Sequence, residues 1–166
     1  MGLMRSKQDI EQTMQAYGDT VWRVCTLHFP GHFDAQDAFQ NTFLKYAQAD
    51  TMAFADEEHK KAWLIRVATN ACNDIHRSYA RRPEVGLEAS PATSMASKDS
   101  SAHLTLLAHE AIDVMRNMSD PPRTPLYLSV VEDYSAPEIA EITGASVNTV
   151  YSWIRRGKKL LKEALS

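Results

Sequence analysis

Between residues 83 and 101 the chain reads PEVGLEASPATSMASKDSS, in which twelve of nineteen residues are Pro, Gly, Ala, Ser or Thr. No apolar period runs through this stretch. It is too polar to bury a face of its own and is expected to be a flexible linker. With 166 residues in all, the chain then divides into two small domains rather than one large one. On both sides of the linker the apolar residues recur at helical spacing, and no period-2 stretch appears. Ile10, Met14, Tyr17, Val21, Val24 and His28 give one stripe. Ala38, Phe39, Phe43 and Tyr46 give a second, and Leu64, Val67, Ala68, Ala71 and Ile75 a third. Leu104, Leu107, Ala111 and Met115 open a fourth helix, which should end near Asn117, ahead of Pro121-Pro122. The predicted fold is all-α: two small helical domains, residues 1–82 and 102–166, joined by the flexible linker 83–101 with its hinge near residue 90.

The C-terminal part carries the sharpest local signals. Thr124-Pro125 reads as an N-cap followed by a proline at the first helical position, opening a short helix to about Glu132-Asp133. Ser135-Ala136-Pro137-Glu138 reads as a capping box, and Gly144 suits the left-handed position that ends the helix after it. Ser146 then caps a helix from Val147 to about Leu165. Two helices joined by a tight glycine-containing turn, with small Ala140 at the crossing, make a helix-turn-helix.

On the second of these helices Val147, Val150, Ile154 and Leu161 share a face expected to pack inward. The opposite face then presents Asn148, Ser152, Arg155, Arg156 and Lys159. Hydrogen-bonding groups near the start and cations further along suit a helix lying in a DNA major groove, the former on base edges and the latter on phosphates or guanine. The bland alternative is a solvated terminal helix. The capping box, the glycine turn and the polar face together weigh against it.

Charge is distributed unevenly. The total is 18 Lys+Arg against 21 Asp+Glu, a net of −3, which excludes a uniformly basic coat. Residues 83–150 carry 3 basic and 10 acidic groups, whereas residues 151–166 carry 5 and 1. A second basic zone lies at Arg77, Arg81 and Arg82. No apolar run approaches the length of a membrane span, and Met1–Lys7 lacks the apolar core of a secretory signal. Cys25 and Cys72 stand alone, forming neither a disulfide framework nor a CxxC pair, so a reduced cytosolic chain is expected. His28, His32, Asp34 and Asp37 can be drawn as a metal cluster, but their spacing across Pro30-Gly31 is irregular, and no metal site is expected. No phosphate loop, nucleophile elbow or separated acid–base pair appears. No enzymatic activity, cofactor or small-molecule substrate is expected.

Three segments together carry a family resemblance. They are Asp34-Ala35-Gln36-Asp37-Ala38-Phe39-Gln40-Asn41-Thr42-Phe43-Leu44, then Lys61-Ala62-Trp63-Leu64-Ile65-Arg66-Val67-Ala68-Thr69-Asn70-Ala71-Cys72. The third runs Tyr134-Ser135-Ala136-Pro137-Glu138-Ile139-Ala140-Glu141-Ile142-Thr143-Gly144, followed by Val147-Asn148-Thr149-Val150-Tyr151-Ser152. In this order, with a linker between the second and third, the chain resembles the small two-domain extracytoplasmic-function group of RNA polymerase sigma factors, within the sigma-70 family.

The resemblance implies a protein that binds core RNA polymerase, recognises −35 and −10 promoter elements and starts transcription. Residues 1–82 would be region 2 and residues 102–166 region 4. The first segment resembles the helix that docks on the clamp helices of the polymerase largest subunit. Asp34, Asp37, Gln40 and Asn41 share one side of it, a polar rim suited to steering toward basic partner helices. Residues 51–60 read as a loop that, in the family, forms a pocket for a flipped non-template base. Such a pocket needs a π face, groups for the base edge and cations for phosphates. Phe54 and His59 offer the first, Asn70 and Asn73 the second, and Lys60, Lys61, Arg66 and Arg77 the third. Trp63 is expected in the core. The −35 set is Asn148, Thr149, Ser152, Arg155, Arg156 and Lys159. Promoter DNA, core polymerase and an anti-sigma factor are the implied partners, and the location is cytoplasmic, with the anti-sigma factor able to hold the protein at a membrane. Extended, nineteen residues reach roughly 60 Å, about the length of 17–18 base pairs at about 3.4 Å each. The alternative is a stand-alone helix-turn-helix regulator with an N-terminal sensing or dimerisation domain.

Departures from the family pattern are visible too. Asn41 replaces a usual Glu, Tyr151 and Trp153 stand where Lys or Arg is common, Asp133 replaces a frequent Gly, and Pro125 is unusual in its helix.

Overall fold

A computed structural model describes residues 4–29, 32–50, 52–81 and 106–166. Among the described residues there are seven α-helices and no strand, as the periodicity predicts. They are α1 (Lys7–His28), α2 (His32–Gln48), α3 (Glu57–Ala80), α4 (Leu106–Arg116), α5 (Arg123–Val130), α6 (Ala136–Thr143) and α7 (Val147–Leu165). The chain divides into two compact units, Met1–Ala96 and Ser97–Ser166. The expected linker, residues 83–101, and Leu104 lie outside the described residues.

In the first unit α1, α2 and α3 pack against one another. Ser6 caps α1 by accepting from the Asp9 amide at 3.1 Å. The buried side of α1 carries Val21, Val24, Cys25, Leu27 and His28, so the C-terminal half of the expected stripe faces inward. The other half departs from it. Met14 is 38% exposed, and Thr13 is buried in its place because its hydroxyl reaches the Tyr46 hydroxyl at 3.1 Å. Ala38, Phe43 and Tyr46 of α2 and Leu64, Ala68 and Ala71 of α3 are buried as expected. The loop expected over 51–60 is shorter. Asp56 accepts from the His59 amide at 2.8 Å and starts α3 at Glu57, with Glu57 and Glu58 placed where the helix dipole favours acids. Residues 57–60, His59 and Lys60 among them, are therefore helical. The two cysteines are not isolated either. Cys25 and Cys72 are both buried, and the hydrogen bond to Cys72, then burial, push the Cys25 thiol well above its ordinary value.

In the second unit the start of α5 differs from expectation. Thr124 lies inside the helix, and its amide and hydroxyl donate to the two carboxylate oxygens of Asp120 at 2.9 and 2.6 Å. Asp120 thus takes up the Thr124 amide, at the second position of the helix, and Thr124 itself caps nothing. Pro125 is tolerated as the third residue of α5, where its missing N–H would have no intrahelical partner anyway. The helix also ends earlier, at Val130.

The turn into α6 places Asp133 at φ +62°, in the left-handed region. Asp enters this region more readily than most residues but still at a cost glycine avoids. Asp133→Gly is therefore expected to raise the stability of this unit by about 0.5–1 kcal/mol, read from urea unfolding; an unchanged or lowered midpoint would refute it.

The helix-turn-helix forms as predicted. Ser135 and Glu138 exchange both hydrogen bonds of the capping box, at 2.9 and 3.3 Å, and the Ser135 amide and hydroxyl hold Glu138 below its usual carboxylate range. Gly144 adopts φ +81° after α6, and Ser146 accepts from the Thr149 amide at 3.2 Å to start α7. Val150 and Ile154 face inward, but Val147, in the first turn, is 37% exposed. The buried line continues through Gly157 instead. A Cβ there would sit 3.0–3.3 Å from three side-chain atoms of Leu126, so the missing side chain lets α5 and α7 approach. Gly157→Ala is expected to lower the melting temperature of this unit despite Ala's higher helix propensity, because about 1–3 kcal/mol of overpacking exceeds a gain of about 1 kcal/mol.

Candidate nucleic-acid interface

Once Val150, Ile154 and Gly157 are buried, the geometry of α7 leaves its other face to solvent. Asn148, Thr149, Ser152, Arg155, Arg156 and Lys159 are all exposed. Two of them carry local commitments. The Thr149 hydroxyl accepts from the Ser146 hydroxyl at 2.8 Å, which ties it to the cap. Arg156 Nη2 donates to the Pro121 carbonyl at 3.3 Å, steadying the turn ahead of α5. Tyr151 was absent from the expected set, yet its ring is 52% exposed one turn beyond Asn148 and beside Ser152. The signal available for it was its position on a polar face.

In the first unit, Arg66, Asn70, Asn73 and Arg77 follow one another at steps of four, three and four along α3, so they line one face. Asn73 is half-buried and the other three are exposed. Arg77 pairs with Asp74 at 3.3 Å, both at the surface, where such a pair yields readily to a phosphate. Lys61 is half-buried. Lys60 is less free: its ammonium lies 3.4 Å from Glu57 and 5.8 Å from the centre of the Tyr46 ring. Burial alone would lower its pKa, but Tyr46 and Glu57 outweigh burial and hold it above the ordinary value.

Phe54 is half-buried at the centre of an aromatic group. Its ring centroid is 5.6 Å from His59, 5.6 Å from Trp63 and 6.2 Å from Tyr46. The Ala55 amide donates to His59 Nδ1 at 3.1 Å, so His59 supports the loop as well as lining it. Trp63 is half-buried between the core and this group. A partly open aromatic wall, with cations and amides along the adjoining helix, is the combination that holds an unstacked base.

On α2, Asp37, Gln40 and Asn41 are exposed on one side. Asp34 is not a free rim carboxylate, because Tyr79 donates to its two oxygens at 2.9 and 2.8 Å. That hydrogen bond, with burial, raises the Tyr79 pKa. Leu44, 48% exposed on the same side as Asn41, adds an apolar contact outside the expected set. With Asn41, Lys45 and Gln48 it forms one wall of a groove of about 280 Å³, whose other wall is Ala71, Asp74, Ile75 and Ser78.

Comparison with known proteins returns one family for both units. The family model for sigma-70 region 2 matches residues 13–82, and that for sigma-70 region 4 matches residues 109–161. The chain is similar to the ECF RNA polymerase sigma factor SigW of Bacillus subtilis, with 25% identity over 162 residues, 90% of this chain and 84% of the relative. It is also similar to the ECF RNA polymerase sigma-E factor of Haemophilus influenzae, with 27% identity over 144 residues, 80% of this chain and 75% of the relative. Among solved structures, the sigma factor RpoE in complex with the anti-sigma factor NepR from Bartonella quintana shares the fold. Its TM-score is 0.71 at 19% identity, covering 95% of this chain and 97% of that one. CnrH in complex with the cytosolic domain of CnrY shares it at a TM-score of 0.64 and 20% identity, covering 96% and 89%.

Proposed function

The chain belongs to the sigma-70 family of RNA polymerase sigma factors, and from that premise we propose how its two units divide promoter recognition between them. A member carrying regions 2 and 4 is a promoter-specificity factor that joins core polymerase and starts transcription. Within it, the domains are assigned as region 2 over residues 1–82, a tether over 83–101 and region 4 over 102–166. The α7 face from Asn148 to Lys159 reads −35 duplex: Asn148 and Ser152 meet base edges, while Arg155, Arg156 and Lys159 meet phosphates or guanine. The exposed ring of Tyr151 suits a thymine methyl. Phe54 and His59 receive an unstacked −10 base, Asn70 and Asn73 address its edge, and Lys61, Arg66 and Arg77 follow the strand, with Lys60 in support. Asp37, Gln40 and Asn41 face the polymerase clamp helices, and Asp34 orders that surface through Tyr79.

The observation that carries the reading is the match of regions 2 and 4, in order, to the two units that hold these faces. A stand-alone helix-turn-helix regulator is not favoured, because region 2 accounts for the N-terminal unit. The protein's role is binding and positioning, with no chemistry of its own, and it works in the cytoplasm beside the polymerase. No helix among the described residues is long and apolar enough to cross a membrane. The two similar solved structures each hold a bound protein, NepR and the cytosolic domain of CnrY, and by analogy an anti-sigma factor restrains this protein.

Pull-down with core polymerase, followed by runoff transcription from start sites mapped after overexpression, tests the assignment. Core-dependent transcripts with weak DNA binding by the free protein are expected. Tight, sequence-specific binding without core and no transcript would overturn it.

A further inference from the structure

Arg5 makes more polar contacts than any role in capping α1 requires. Its amide donates to the Ala47 carbonyl at 2.8 Å, and its Nε donates to the Tyr46 carbonyl at 3.1 Å. Nη1 meets Asp9 Oδ2 at 3.2 Å, and Nη2 donates to the Met52 carbonyl at 2.6 Å. The guanidinium carbon lies 4.4 Å from the Tyr46 ring centre and 5.5 Å from that of Phe54, and the side chain is only 12% exposed. One cation therefore joins the start of α1, the end of α2 and the loop that carries Phe54.

Among the described residues, two backbone amides of that loop are held as well, beside the ring contacts of Phe54 with Tyr46, His59 and Trp63. The Met52 amide reaches the Ala49 carbonyl at 3.2 Å, and the Ala55 amide reaches His59. Arg5 and His59 thus hold the two sides of Phe54, one through a carbonyl and the other through an amide. The fully buried Val21, Val24, Leu64 and Ala68 lie on α1 and α3, whereas the polar contacts of Arg5 go to Asp9, Tyr46, Ala47 and Met52. Losing the guanidinium frees the loop before it loosens the bundle. A ring that must be ordered at the moment of binding captures a base more weakly and less selectively than one already in place.

We propose that Arg5 is a positioning residue that sets Phe54 and its loop in the conformation that receives an unstacked base. The inference rests on the assignment of Phe54 and His59 to base capture. Lysine at this position keeps the charge but loses the planar fork, so it cannot satisfy Tyr46, Met52 and Asp9 together.

The test uses holoenzyme made with the full chain. The probe is a forked promoter from a mapped start site, its non-template −10 strand single-stranded, compared with the same fork carrying an abasic site at each −10 position in turn. The readout is the ratio of affinities for intact and abasic forks, which a general loss of stability does not change. At one position the unsubstituted protein should prefer the intact fork by about 10–100-fold, the range of one stacked base. Arg5→Met should cut that ratio about tenfold and Arg5→Lys about threefold, with core affinity within twofold of the unsubstituted protein. An unchanged ratio in both variants, while Phe54→Ala lowers it, would overturn the role of Arg5 and leave the base pocket standing. A ratio near one at every position in the unsubstituted protein, or one insensitive to Phe54→Ala, would sink the pocket and this inference with it. A fall in core affinity matching the fall in fork affinity, with the ratio kept, would make Arg5 a folding residue only.

Discussion

Replacing Arg155, Arg156 and Lys159 together by alanine is expected to cut −35-dependent initiation by about 10²–10³-fold, the loss from two or three charge-assisted contacts at roughly 1–3 kcal/mol each. The fold should tolerate the change. All three side chains are exposed, the buried line of α7 runs through Val150, Ile154 and Gly157, and alanine is a good helix former. Among the described residues, the hydrogen bond lost from within the unit is that of Arg156 to the Pro121 carbonyl. Arg156→Ala alone should therefore weaken −35-dependent initiation with core binding intact. A second readout separates phosphate from base contacts. Each lost phosphate cation lowers the slope of log affinity against log salt by about 0.9, whereas a lost base contact relaxes sequence preference at one position. Unchanged initiation in the triple variant would remove α7 from promoter recognition. Equal loss of core binding would point to a damaged fold.

Local chemistry was legible in the sequence, and distant chemistry was not. Ser135, Glu138, Gly144 and Ser146 act within three or four residues of themselves, so their roles could be read without knowing the fold, and the structure places each as expected. Period alone found Val21, Val24, Ala38, Phe43, Tyr46, Leu64, Ala68 and Ala71 in the core of the first unit, but not the exposure of Met14. The error at Thr124 came from a carboxylate four residues earlier, Asp120, on the far side of two prolines that do not continue a helical pattern. Thr13 was missed as a core residue because a threonine is buried only if its hydroxyl finds a partner, and Tyr46 is 33 positions away. The pairing of Cys25 with Cys72 and the grip of Arg5 on the Phe54 loop likewise depend on packing between helices. At the candidate site, the exposed faces of α3 and α7 could be drawn from helical spacing. That Asp34 is held by Tyr79 and Lys60 by Glu57 could not, the first because of distance along the chain and the second because residues 57–60 read as loop.

Removing the Tyr46 side chain is expected to cost the N-terminal unit about 3–5 kcal/mol, as for a fully buried aromatic, a large share of the about 5–15 kcal/mol of whole domains. Tyr46 is fully buried, its ring stacks near Phe54 and meets Trp63 edge-on, and its hydroxyl donates to Asp9 Oδ1 at 2.7 Å. Tyr46→Ala should therefore weaken core binding and −10 capture together and lower the melting temperature of the first unit, while the second unit still melts as before. Tyr46→Phe isolates the hydroxyl. It leaves Asp9 and Thr13 without that partner, at about 1–2 kcal/mol. The Tyr46 hydrogen bond is the foremost reason the Asp9 carboxyl titrates below its usual 3.8, with Arg5 adding to it against burial. A carboxylate whose folded pKa is depressed adds stability above its unfolded pKa and loses it as pH falls through the folded value. The gap between Tyr46→Phe and the unsubstituted protein should thus be full above pH 3.8 and shrink below it, as followed by urea unfolding across pH 2.5–7. A gap independent of pH would mean that the hydroxyl acts through Thr13 and packing alone, leaving Arg5 to hold the Asp9 charge.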